Sequence, residues 1–274
     1  MKTQKLITAL IKNLCAWVIS VIMLAPIALV LINSFKTKGE SSTMTFALPK
    51  EFMFENYSMV VSRGKLVQAF VNSMTYSVVS VLLIVLFASM AAYIFARRRT
   101  KLGNALYIYI VMGLTLSLNH IALIKIMETL HLLDTRLGII ILYTALQIPF
   151  AVFLLYSFVR GIPKELDEAA IVDGCSPLVL FFRIIFPMLK PAVISVAILN
   201  FLNTWNEFIL PLYYLNDSQK WPMTNTVYSF YGQFSSSWNL VCADIVLTSL
   251  PVIILYVLGQ KYIVEGMTAG AVKG

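Results

Sequence analysis

Charge is scarce in this chain. Of 274 residues only 12% are Asp, Glu, Lys or Arg, while 59% are hydrophobic. A water-soluble globule of this length would lack the polar side chains to cover itself, so composition excludes an ordinary soluble fold and points to the bilayer. Cysteine is scarce too: Cys15, Cys175 and Cys242 stand far apart, with no CxxC pair and no His at ligand spacing. Neither a disulfide framework nor a zinc site is expected. A nucleotide-binding loop of the GxxxxGK[ST] type is missing. The one Gly-Lys pair, Gly64-Lys65, has Met59 where the leading Gly belongs and Leu66 where Ser or Thr belongs. The short alternating segments of a membrane barrel are also absent, which leaves helices as the means of crossing.

What is present is apolar length. A hydrocarbon core of about 30 Å takes about 20 mostly apolar residues of helix. Six such runs occur: Leu14–Ile32, Asn72–Ala96, Leu102–Ile124, Leu137–Val159, Pro191–Leu212 and Val241–Tyr262. Lys and Arg stay at their margins, and Glu207 and Asp244 are the only acids within them. The expected fold is therefore all-α, a polytopic membrane protein with six transmembrane helices in a single domain over residues 1–274. Lys2, Lys5 and Lys12 precede the first run as in a secretory signal. That run is long, however, and Pro26 interrupts the most evident cleavage pattern, Ala25-Pro26-Ile27-Ala28, so an uncleaved anchor is expected.

With the N-terminus inside, the inner segments hold thirteen cations: Lys2, Lys5, Lys12, Arg97, Arg98, Arg99, Lys101, Arg160, Lys164, Arg183, Lys190, Lys261 and Lys273. The outer segments hold eight: Lys36, Lys38, Lys50, Arg63, Lys65, Lys125, Arg136 and Lys220. The bias predicts cytoplasmic termini and accounts for the net charge of +8 without nucleic acid as a partner.

Two hydrophilic segments exceed what a connection needs. In the outer one, about 33–71, Phe52, Phe54, Tyr57, Val60 and Val61 can form a short interfacial helix, although composition alone favours a plain covering loop. The inner one, about 160–190, is patterned. Pro163 suits a first helical position, and Glu165, Asp167 and Glu168 fall where acids complement a helix dipole. Gly174 marks a stop, Ser176-Pro177 opens a second helix, and Pro187 ends it. Leu166, Ala169 and Ala170 share one face of the first helix, a small apolar ridge that permits close docking against another protein. Spacing alone favours an amphipathic loop resting on the membrane surface.

Glu168-Ala169-Ala170, then Gly174 after three intervening residues, then Ile184 and Pro187, resemble the EAA loop of binding-protein-dependent ABC importer permeases. Phe186 replaces the usual Leu before the proline and keeps the position apolar. The string from Ile162 to Gly174 is similar to the carbohydrate-uptake branch and its MalG-like subunits. So are Asn33-Ser34-Phe35-Lys36, Ala91-Ala92-Tyr93-Ile94-Phe95-Ala96-Arg97, Trp205-Asn206-Glu207-Phe208, and the tail Gln260-Lys261-Tyr262 with Gly270 to Gly274.

The resemblance implies a coupling loop in which Glu168, Ala169, Ala170, Asp173, Gly174, Ile184 and Pro187 serve contact with a cytoplasmic ATPase, and a cytoplasmic tail at about 263–274. It implies a second permease subunit, expected to be a different chain, two P-loop ATPase subunits and an extracytoplasmic solute-binding protein, assembled in a bacterial inner membrane. ATP and Mg would belong to the ATPase partners, leaving no cofactor, metal or catalytic site in this chain. The implied solute is a sugar or oligosaccharide, with glycerol-3-phosphate or a polyol as alternatives. Glu168→Lys is expected to abolish uptake through a repelling charge, and Gly174→Arg by filling the corner.

Polar groups inside the runs are Asn119, His120, Gln147, Asn200, Asn203, Asn206, Glu207 and Asp244. Of these Asn200, Asn203, Asn206 and Glu207, all on the fifth run, are candidates for the translocation path. Asn200 and Asn203, at i, i+3, can meet a sugar hydroxyl or join helices. Glu207 lies about 24 Å along its helix and so near the outer face, where water can reach it. His120, at the outer end of the third run, is expected to be structural. A secondary transporter would show ion-coupling charges at the midplane or an inverted repeat, and an embedded enzyme a nucleophile with its base or paired carboxylates. Neither pattern is legible, and the absence of Lys and Arg within the runs favours a neutral solute.

Overall fold

A computed structural model describes residues 2–98, 100–232 and 237–271, with side chains between Leu10 and Tyr262. Arg99 and the tail positions Val272–Gly274 lie outside the described residues. The architecture is all-helical. In chain order its α-helices are α1 Lys2–Ser34, α2 Lys38–Ser41, α3 Glu55–Arg63, α4 Leu66–Arg97, α5 Lys101–Met112, α6 His120–Thr129 and α7 Arg136–Gly161. They continue with α8 Glu165–Val172, α9 Pro177–Leu180, α10 Phe186–Met188, α11 Lys190–Asn206, α12 Ile209–Tyr214 and α13 Trp238–Ala271.

Side-chain caps start several of them, each satisfying an orphan amide. Thr100 accepts from the Gly103 amide, Asn119 from Ala122 and Thr135 from Gly138. Thr37 and Glu40 form a reciprocal capping box around α2. The amide of Thr37 donating to Glu40 is the main cause holding that carboxyl below its usual pKa.

Among the described residues four helices are long and apolar enough to cross a membrane: 10–34, 66–97, 136–161 and 238–262. The other two expected runs are broken. The third is divided between α5 and α6, because Gly113 closes one helix and Asn119 caps the next. Asn119, a polar group of that run, thus serves its own backbone. The fifth is α11, a break at Glu207-Phe208, and α12. Helix α13 also runs on past Tyr262, where the last span was expected to end.

The chain divides into two compact units, residues 1–67 with 226–251, and 68–225 with 252–274. In the first unit the segment after α1 is knotted by buried polar groups. Lys36, 2% exposed, donates to Asn33 Oδ1 at 3.0 Å, to the Thr45 carbonyl at 2.7 Å and to its hydroxyl at 3.1 Å. Asn56 donates to the carbonyls of Ser34 and Lys36, and Asn239 donates to Asn56. The stretch expected to be a covering loop instead carries helix α3, over which Phe35, Phe52, Phe54 and Tyr57 form an aromatic cluster.

The second unit holds two apolar clusters. In one, Ile84, Ala88, Ala92 and Ala96 of α4, a ridge of period four, meet Ala151, Val152, Leu155 and Val159 of α7, Val196 of α11, and Ala170, Phe181 and Ile185 from the segment between. The other gathers Tyr76, Ile139, Tyr143, Leu210, Tyr214 and Leu215. The small residues Ala88, Ala92 and Ala96 of α4 and Ala151 of α7 in this cluster are the kind that helix association in lipid favours.

Candidate functional site: a coupling segment and a polar cavity

The stretch Pro177–Met188, from α9 to α10, is bent by 78° against α11, so it does not continue that helix. Helix α8 ends at Val172 and the chain turns at Gly174, whose φ of +77° is in the left-handed region. A Cβ at Gly174 would meet nothing within 4 Å, so backbone conformation, not crowding, demands glycine here. The expectation that a side chain would fill the corner is corrected on that point. Ser176 stands at the N-cap of α9 with extended backbone, but its hydroxyl makes no capping bond.

Pro187 does not end the second helix. The backbone widens into a π-turn over Phe181–Ile185, the Phe186 amide reaching the Phe181 carbonyl, and the helical path continues through Met188. A widened turn accommodates the missing amide and bulk of a proline, and such insertions recur at functional positions.

The exposure of α8 separates the expected ridge. Ala170 and Asp167 face the chain's own core, while Leu166, Glu168, Ala169 and Asp173 are exposed. Ile171 and Val172, 62% and 86% exposed, add apolar surface beside them. Ile184 is half-buried and Pro187 exposed. The inward Asp167 forms an ion pair with Arg97, the last residue of α4. Arg97 also donates to the carbonyl of Ile162 at 3.0 Å and to that of Pro163 at 3.4 Å.

The other feature is a cavity of about 440 Å³ lined by Leu118, His120, Tyr143, Leu146, Gln147, Asn203, Glu207, Ile209 and Leu210. Tyr143 and Gln147 are one turn apart on α7, and Asn203 of α11 is followed four residues later by Glu207, the residue that closes that helix in extended backbone, so two polar pairs serve one space. The Gln147 amide donates to the Thr204 hydroxyl at 2.8 Å, tying α7 to α11. Gln147 Oε1 and the Tyr143 hydroxyl are buried without a hydrogen-bond partner among the described residues. Glu207 Oε1 accepts from the amides of Ile209 at 2.8 Å and Leu210 at 3.1 Å, a charged cap on α12. Nearby, Asp134 pairs with Lys220 at 3.1 Å. Burial opposes the Asp134 charge, but the Lys220 ammonium and the Asp217 and Asn216 amides outweigh it and hold the carboxyl below its ordinary value.

Two of the four residues expected on a path, Asn203 and Glu207, line this cavity. Asn200 does not, being fully buried with its amide on the Val196 carbonyl at 2.7 Å. Asn206 is exposed and does not line it either. His120, expected to be structural, does line it, as does Gln147. Tyr143 was not singled out by sequence; its spacing of four from Gln147 was the available signal.

The family described as binding-protein-dependent transport system inner membrane component matches residues 84–268, which include the segment from α8 to α10 and the residues lining the cavity. The probable starch degradation products transport system permease protein AmyC of Thermoanaerobacterium thermosulfurigenes is 35% identical over 93% of this chain and 94% of its own. The melibiose/raffinose/stachyose import permease protein MelC of Bacillus subtilis is 33% identical over 100% and 98%. The multiple sugar-binding transport system permease protein MsmG of Streptococcus mutans is 34% identical over the whole of both. In fold, the chain resembles a crystal structure of a bacterial ABC transporter involved in the import of the acidic polysaccharide alginate. There the TM-score is 0.82 at 23% identity, over 93% of this chain and 96% of that one. Multi-pass, all-helical and carrying these segments, the chain belongs to the family of binding-protein-dependent transport system inner membrane components, the permease subunits of ABC importers.

Proposed function

We propose that this chain is a permease subunit of an ATP-driven, binding-protein-dependent importer and forms part of the path for a neutral sugar or oligosaccharide. The single observation that carries the reading is the coupling segment. A short helix leaves Leu166, Glu168, Ala169, Ile171 and Val172 exposed and turns back at a left-handed glycine, as a docking surface for an ATPase requires. The sugar-import names of the relatives support the solute class. Amide, hydroxyl and carboxylate groups suit a polyhydroxylated ligand, and no Lys or Arg lines the cavity to hold glycerol-3-phosphate.

In this reading the broken pairs α5 with α6 and α11 with α12 complete six spans, and both termini are cytoplasmic. A second permease subunit of different sequence, two ATPase subunits that bind ATP and Mg, and a solute-binding protein complete the importer. Alternating access follows from ATP-driven rearrangement of the two permeases.

Extraction in mild detergent, mass spectrometry of stoichiometric partners and an ATP hydrolysis assay test this. A P-loop ATPase and a second permease arriving together, with hydrolysis stimulated by a sugar-loaded binding protein, is the expected result. Purification of the chain alone or as a homo-oligomer without ATPase would overturn it.

A further inference from the structure

We propose that Arg97 is the positioning residue that fastens the coupling segment to α4, so that movement imposed on the segment enters a spanning helix; this rests on the coupling reading above. Arg97 and Asp167 side chains are each 12% exposed, which shields the pair from water and strengthens it. The guanidinium also binds the carbonyls of Ile162 and Pro163, so one side chain grips the segment both before α8 and within it. A rigid planar fork suits that task better than a single ammonium.

One turn back along α4, Tyr93 stands 6.0 Å from the guanidinium, and its ring lies 5.5 Å from that of Phe181 at the start of the π-turn. The end of α4 therefore holds both limbs of the segment. Gly161 and Gly174 flank α8, and without the grip a displacement would be taken up at those two turns. At the opposite end of α4, Asn72 donates to the carbonyls of Gln219 at 2.8 Å and Trp221 at 3.0 Å, and Tyr76 to that of Lys220 at 2.8 Å. A helix of 32 residues, about 48 Å long, thus joins the coupling segment to the 219–221 stretch.

The test uses the full importer in proteoliposomes, measuring solute accumulated per ATP hydrolysed. Arg97→Ala is expected to lower that ratio about tenfold while ATPase subunits remain bound. Arg97→Lys, which keeps a cation beside Asp167, is expected to recover most of the ratio. Asp167→Asn, which preserves volume and repeats the test should Arg97→Ala fail to assemble, is expected to fall between them. An unchanged ratio in Arg97→Ala and Asp167→Asn overturns the proposal. So does an equal fall in hydrolysis and accumulation at full ATPase content, which is what a merely structural staple would give. Failure of the coupling reading looks different, because the wild-type chain would then retain no ATPase.

Discussion

Glu207 sits at the break between two helices and uses one carboxylate oxygen to cap the second. Glu207→Ala is expected to cost about 1 kcal/mol at α12 and to speed exchange of the Ile209 and Leu210 amides, whereas Glu207→Gln keeps an acceptor and most of the protection. Hydrogen exchange read by mass spectrometry distinguishes them, and equal protection in all three chains would refute the capping role. Asp134 gives a pH dependence. Its folded pKa lies below the ordinary 3.8, so its stabilisation is complete above that value and is lost as pH falls through the lower folded one. Exchange at the Asn216 and Asp217 amides should rise over that acid window in the wild type and show no such step in Asp134→Asn. At this scale the sequence is legible where polarity is out of place, as with Asn203 and Glu207 in an apolar run. Asn200 lies away from the cavity with its Nδ2 on its own helix, and the sequence concealed Tyr143, because an aromatic in a span is unremarked without a cavity beside it. Gly174 was recognisable as a helix stop, while its left-handed backbone, not a crowded corner, is what calls for glycine.

Helix starts and stops follow the local chemistry closely. Thr135 caps α7 with its hydroxyl on the Gly138 amide, and a Cβ at Gly138 would collide with the Leu132 carbonyl. Gly138→Ala is therefore expected to destabilise the protein by about 1–3 kcal/mol, read as a lowered thermal midpoint in detergent. Gly259→Ala meets only the Ile198 side chain, which can yield, and should shift the midpoint much less. Equal shifts would show that the Leu132 carbonyl moves freely. The same chemistry explains what the apolar runs concealed. Hydropathy counts residues without asking whether one helix contains them, so Leu102–Ile124 reads as one span although Gly113 and Asn119 divide it. Pro187 reads as a stop, and only the π-turn before it shows how the backbone passes through. The four unbroken helices were legible as long apolar runs, and the helical path passes through Pro26, Pro149 and Pro251 without ending there.

For the whole molecule, orientation is open to a direct test. With Cys15, Cys175 and Cys242 replaced, Lys38→Cys is expected to react with a membrane-impermeant maleimide in intact cells, and Lys164→Cys only after permeabilisation. The reverse pattern would overturn the topology, and labelling of both from outside would mean an even number of crossings between them in place of the expected three. The distribution of Lys and Arg made this prediction possible because the membrane reads flanking charge directly. The number of unbroken helices was less legible, since it depends on single capping residues. Helix α1 carries a further consequence, for biogenesis. None of its spanning window is buried by the rest of the chain, with Trp17 72% and Met23 70% exposed. During synthesis such a segment must partition from the translocon into lipid on its own apolarity, with no later segment to shelter it. The interrupted third run has the opposite need: its seven-residue break between α5 and α6 leaves backbone groups that lipid cannot satisfy. Early release of the first run, with the third retained until its neighbours have entered, is the order of insertion expected on these grounds.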